Sequence, residues 1–150
     1  MAMTNYLSII TLSVKGLNAP IKRDRMAEWI RKHDPHICCL QETHLRTKDL
    51  HRLKVKGWKQ IFQANGQEKK ARVAILILDK IDLKRRSIKR DAEGRFIILK
   101  GRIQQEHITI LSIYAPNIGA PKYIKKILED FKKDIDSNAI VGRNFNTPLP

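Results

Sequence analysis

The sequence predicts an α/β protein, and three observations carry that expectation. A strand–helix–strand pattern occurs twice along the 150 residues, 42% of the chain is hydrophobic, and the apolar runs between the two units read as strands divided by turn signals. By length this is one domain, and a domain of this size buries roughly 68–70% of its unfolded surface, enough for a real core.

The elements follow in chain order. Residues 6–14, YLSIITLSV, cluster apolar side chains as a strand. IKRDRMAEWIRKH then places Ile21, Met26, Trp29, Ile30 and His33 at helical spacing, and Pro20 just before it suits a helix start. HICCLQ at 36–41 is a short buried strand whose neighbouring cysteines, Cys38 and Cys39, would point to opposite faces of a sheet. Two adjacent cysteines make neither a metal site nor a disulfide framework, so they read as reduced core residues of a cytosolic or nuclear protein. WKQIFQA, ARVAILIL and RFIILKGRI read as further strands, with turn signals NGQ at 65–67 and AEG at 92–94. HITILSIYA at 107–115 leads into a helix around 121–136, where Ile124, Ile127, Leu128, Phe131 and Ile135 form one stripe, and NAIV closes the second unit.

Helical crossovers of this length join parallel strands, so the two strands of each unit should end at one sheet edge. The four strand exits carry Ser13, Glu42, Tyr114 and the pair Asn144 and Asn146. Ligands of such sheets bind beyond the carboxyl ends of the strands, which would let these scattered residues meet in one cleft.

Charge narrows the partners. Thirty Lys and Arg against fifteen Asp and Glu give a net charge of +15, which attracts polyanions, and a phosphate backbone is the commonest of them. A membrane surface is the rival partner, but no basic amphipathic helix dominates and no stretch reaches the roughly 18 apolar residues of a membrane span. The amino-terminal YLSIITLSV lacks a basic lead and is broken by Ser8, Thr11 and Ser13, so it does not read as a targeting signal. Residues 82–102 hold eight Lys or Arg against Asp82, Asp91 and Glu93; KRRSIKR, with Lys84, Arg85 and Arg86, reads as a nuclear address, a nucleic-acid patch or an ordinary solvated hairpin.

Glu42 is the only acidic residue between Asp34 and Asp49 and directly follows an apolar strand. A carboxylate there can hold Mg²⁺, a hard cation usually bound by one or two carboxylates with waters and substrate phosphates; a capping or salt-bridging role is the alternative. His44 is a candidate base or an exposed structural residue, and Tyr114 a phosphate-supporting hydroxyl or a rim aromatic. At the end of the chain, GRNFN offers amides where a site of this kind wants a carboxylate, and neither Ser nor Asn replaces one as a proton acceptor or anionic metal ligand.

The strings QETHL, HRLKVKGWKQIFQANG, IQQE, ILSIYAPNIGAP and FNTPL, in this order and spacing, resemble the endonuclease domain at the start of the second open reading frame protein of mammalian long interspersed element (non-LTR) retrotransposons. The resemblance runs from about residue 7 to residue 149. That domain belongs to the endonuclease/exonuclease/phosphatase superfamily with abasic-site endonucleases and DNase I. The fold implied is a two-sheet β-sandwich flanked by helices, a single domain of ~200–250 residues. Residues 1–150 would then be its amino-terminal portion, with the carboxyl-terminal strands missing.

The resemblance implies a role for each matched residue. Glu42 matches the metal-binding glutamate, Tyr114 the active-site tyrosine, Asn117 a residue at the DNA surface, and Asn146 the asparagine of G-D-F-N. Ser13 stands at the family's asparagine, Asn144 at its catalytic aspartate, and Arg72 at a strand glycine. The later aspartate and the S-D-H segment with the catalytic histidine have no counterpart before Pro150. The implied reaction is Mg²⁺-assisted hydrolysis of one DNA strand, with an Asp–His pair handling protons. This chain is therefore expected to be a truncated, inactive endonuclease domain. The alternatives are a non-catalytic basic nucleic-acid-binding module, with Lys84, Arg85 and Arg86 on DNA, and a weakly active nuclease within a longer product. The expected partner is DNA, the expected cofactor Mg²⁺, with no membrane and no small-molecule cofactor, in nucleus or cytoplasm.

Overall fold

In the computed structural model the described residues are 7–14, 16–17, 19–44, 58, 60–64, 73–114, 120–133 and 139–143. The elements are β1 (Ile9–Ser13), α1 (Pro20–His33), β2 (Ile37–Gln41), β3 (Gln60–Ala64), β4 (Val73–Ile77), β5 (Leu83–Arg90), β6 (Phe96–Ile103), β7 (Glu106–Ile113), α2 (Ala120–Asp130) and β8 (Ala139–Arg143).

Two mixed four-stranded sheets form, ordered β1-β2-β4-β3 and β5-β6-β7-β8. Each strand–helix–strand unit supplies the parallel pair of one sheet, β1 with β2 and β7 with β8. The remaining neighbours are antiparallel. The sandwich that the resemblance implies is the one observed.

Side-chain alternation divides the interior into three layers. Ile37, Cys39, Ile75 and Ile77 from the first sheet pack against Ile97, Leu99, Ile108 and Ile110 from the second. The other face of the first sheet, with Cys38, Leu40, Ala74 and Leu76, lies under Met26 and Ile30 of α1. Phe96, Ile98, Leu111 and Ile113 on the outer face of the second sheet lie under Ile127 of α2. The two cysteines thus face opposite layers, as adjacent strand residues must. Each fully buried Ile or Leu stabilises the layers by about 1.5–3 kcal/mol relative to exposure.

The helices differ from expectation in detail. Pro20 is in the first turn of α1, which ends at Asp34 in the left-handed conformation, but the buried stripe is narrower than its spacing suggests. Met26 and Ile30 are buried, whereas Ile21 is 60% exposed and His33 stacks on Trp29 at 3.9 Å in solvent. The first turn of α1, which carries Ile21, lies beyond the buried stripe of Met26 and Ile30. α2 ends at Asp130, short of the expected 136, with Leu128 at the rim; Ile135 lies outside the described residues. The charge run from 83 to 90 is a full strand, an edge partner of β6. Its register shifts between Arg85 and Ser87, where a bulge accommodates the extra residue.

Candidate active site

Parallel pairing of β1 and β2 sets Ser13 opposite Gln41, so both strands deliver their next residues to one sheet edge. The ladder continues past the strands. The Val14, Gly16 and Leu17 amides donate to the Gln41, Glu42 and Thr43 carbonyls at 3.0, 2.6 and 2.9 Å. Along this zipper the backbone of Glu42 stands at φ 57°, and His44 just beyond it at φ 55°, both left-handed. For a residue with a Cβ that conformation costs about 1–2 kcal/mol, and such strain clusters at functional sites. Gly16, at φ 96°, is likewise in a conformation that a side chain would strain, and the His44 ring packs beside it.

The second sheet brings its own strand end to the same place. Tyr114 follows β7 and is anchored by its amide, which donates to the Arg95 carbonyl at 2.7 Å. Its hydroxyl donates to Glu42 Oε1 at 3.3 Å, while the Ser13 hydroxyl donates to Glu42 Oε2 at 2.9 Å. The shorter bond to a carboxylate is the stronger of the two. One carboxylate therefore receives a hydroxyl from each sheet.

One contact beneath the site went unnoticed in the sequence. The Gln41 side-chain amide donates to the Ser112 hydroxyl at 3.3 Å, both groups fully buried, tying the sheets together directly below Glu42 and Tyr114. The available signal was a polar residue in an otherwise apolar run, Gln41 at the end of HICCLQ and Ser112 inside ILSIY. Burial pushes the Cys39 thiol up to about 12, with a Ser112 hydrogen bond opposing, and raises Cys38 well above its usual value, with Cys39 adding to the effect. Both thiols are protonated and inert at neutral pH.

Three of the candidate residues, Ser13, Glu42 and Tyr114, thus meet. Lys84, Arg85 and Arg86 do not join them. They occupy the far end of β5, where Lys84 registers with Arg102 and Arg102 with His107, seven residues and roughly 23 Å along the strand from Tyr114. Asn117, Asn144, Asn146 and Arg72 lie outside the described residues. β8 is described to Arg143, which registers opposite Ile113, the residue before Tyr114.

Among the described residues no group of three His, Cys, Asp or Glu converges. The donor set for a divalent cation is the Glu42 carboxylate, half-buried and flanked by two neutral hydroxyls. One hard oxygen ligand with access to solvent suits Mg²⁺, which keeps several waters and shares substrate phosphate oxygens. It would not make a closed structural metal cage.

The chain belongs to the endonuclease/exonuclease/phosphatase family, whose pattern matches residues 10–124. Nucleases of that family generally use divalent metal ions. Solved structures agree on the fold. D. rerio TDP2 complexed with single strand DNA product matches with a TM-score of 0.67 at 18% identity, over 90% of this chain and 58% of that one. The endonuclease domain of TRAS1, a telomere-specific non-LTR retrotransposon, matches with a TM-score of 0.65 at 16% identity, over 94% and 59%. A functionally unknown conserved protein from Enterococcus faecalis matches with a TM-score of 0.72 at 15% identity, over 93% and 67%. The chain spans about three-fifths of the TDP2 and TRAS1 chains.

Proposed function

We propose that this chain is a retrotransposon-type DNA endonuclease module, of the kind found in mammalian long interspersed elements, whose 150 residues alone bind DNA and Mg²⁺ without cutting. The observation that carries the reading is the convergence of Ser13, Glu42 and Tyr114 from two sheets onto one carboxylate. Glu42 would hold the metal, which when bound neutralises charge on phosphate oxygens. Ser13 and Tyr114 orient the carboxylate, and each hydroxyl retains acceptor capacity for a water or a phosphate-bound proton. Tyr114 and Glu42 are both partly exposed while Ser13 is buried, so of the two hydroxyls that of Tyr114 is the one that could meet a phosphate oxygen from the solvent side.

Within these 150 residues inactivity rests on residue 144 and on the want of a match for the histidine that the resemblance implies. By the resemblance an aspartate belongs at 144, and Asn144 cannot accept a proton from an attacking water. The site would be found in the nucleus or cytoplasm, where Cys38 and Cys39 stay reduced.

The test is nicking of supercoiled plasmid by the purified chain with Mg²⁺, with and without EDTA, alongside DNA binding by fluorescence anisotropy. Binding without nicking is expected. EDTA-sensitive nicking that disappears in Glu42→Ala would overturn inactivity and favour the weakly active nuclease. A second reading, a module that only binds nucleic acid, is favoured by the exposed cations of β5. It would prevail if Glu42→Ala left Mg²⁺ binding unchanged.

A further inference from the structure

We propose that the outer face of β5, β6 and β7, at the pole opposite Glu42, is a second phosphate site that takes the backbone of a nucleic acid. Register places Lys84, Arg102 and His107 in one row across the three strands. By alternation this row shares its face with Lys100, Ile98 and Phe96. α2 covers the Phe96 end of that face and leaves the Arg102 end to solvent, where Lys84, Arg102 and His107 are all exposed.

The arrangement is one that folding by itself disfavours. Lys84 and Arg102 are directly opposed, and like charges in a cross-strand pair are destabilising. They line an open cavity of about 580 Å³ with Asp82, Gln104 and Gln105. Asp82 offsets one of the two charges, and the two glutamine side chains add amide donors. Those glutamines form the two-residue turn between β6 and β7, with Gln104 held at φ 58°, a conformation such turns normally give to glycine, asparagine or aspartate. Two opposed cations and a strained donor-bearing turn around a concavity fit a bound phosphate, which would relieve the repulsion.

Charge complementarity selects the occupant. Lys84, Arg102 and His107 spread across three strands about 5 Å apart, and Lys100 follows Arg102 on the same face, a spread suited to a polymer of phosphates. A lipid surface is less suited: among the described residues the exposed large hydrophobics are Ile21 and Leu128, and neither lines the cavity. The proposal does not depend on whether the Glu42 site holds metal or cuts.

The experiment measures binding of a fluorescent 20-base-pair duplex by anisotropy from 50 to 300 mM NaCl. It compares the intact chain, Lys84→Ala/Arg102→Ala, and Arg31→Ala/Lys32→Ala, which removes the same charge from exposed positions on α1. Loss of two phosphate contacts should lower the slope of log affinity against log salt by about 1.8 and weaken binding about tenfold or more at low salt. The α1 pair should change binding about threefold or less. Equal effects of the two pairs, or none from Lys84 and Arg102, would overturn the proposal. So would loss of binding to phosphatidylserine vesicles with duplex binding retained. Thermal melts of both doubles confirm that they fold, and plasmid nicking run in parallel reports on Glu42 alone.

Discussion

Replacing Ser13 with alanine removes the 2.9 Å hydroxyl donor from Glu42 Oε2 and leaves the 3.3 Å Tyr114 bond to Oε1. Hydrogen bonds to charged groups contribute about 1.5–3 kcal/mol when buried. Ser13 is buried but Glu42 is only half-buried, so water replaces part of the lost bond and the expected cost falls to about 1 kcal/mol. For a chain of this size that lowers Tm by roughly 2–4 °C. A single variant does not isolate the contact, because alanine also changes packing beside Leu12 and Val14. The assay is a double-mutant cycle of Ser13→Ala and Glu42→Ala by urea unfolding, followed through the buried indole of Trp58. A coupling energy of about 1 kcal/mol is expected between the two positions. A coupling below about 0.3 kcal/mol, within the range of independent sites, would refute the contact and with it the oriented carboxylate.

Other outcomes follow from the same geometry. Restoring Asn144→Asp with Ser13→Asn returns an anionic ligand but no imidazole; because a general acid–base group contributes typically 10²–10⁴-fold, plasmid nicking should stay near background. Cys38 and Cys39 should resist a thiol reagent at pH 8 in the folded chain and react fully in urea. Because their pKa values are raised on folding, with Cys39 near 12, the unfolded chain loses thiol protons first. The thiols' contribution to stability should therefore be constant below about pH 9 and fall above it, by up to about 1.4 kcal/mol per pH unit per thiol, which urea midpoints between pH 7 and 11, compared with those of Cys38→Ala/Cys39→Ala, will show. At Gly101 an added Cβ would lie 2.8 Å from the Lys84 carbonyl oxygen and 2.9 Å from Leu83 Cδ1, so Gly101→Ala must shift the β5 backbone and should cost about 1–3 kcal/mol. A Tm equal to that of the unsubstituted chain would contradict the close approach.

How far the sequence spoke depended on how each element is held. β2 and β4 announce themselves because strands buried on both faces are continuous apolar runs, ICCLQ and VAILI. β5 does not, since an edge strand with LKRRSIKR needs only Leu83 and Ile88 to hold it and charges elsewhere protect the edge. Ser13, Glu42 and Tyr114 were legible as strand exits, and parallel pairing makes that rule dependable within a sheet. Their meeting across two sheets was not, because it depends on inter-sheet packing that periodicity does not encode. The Gln41–Ser112 contact is of the same kind, its partners 71 positions apart in the chain. The distance of Lys84 from the site also escaped the sequence: charge counts say how many cations a segment has, and register says at which end of a strand they lie.

The left-handed backbone at Glu42 separates two pressures that usually coincide. Were residue 42 chosen for folding alone, glycine or asparagine would serve better, because each takes φ 57° with less strain. A glutamate there costs about 1–2 kcal/mol of backbone strain, which the metal-holding role proposed for its carboxylate would explain. In a library randomised at position 42, selection for soluble, protease-resistant chain and selection for divalent-metal binding should accordingly enrich different amino acids.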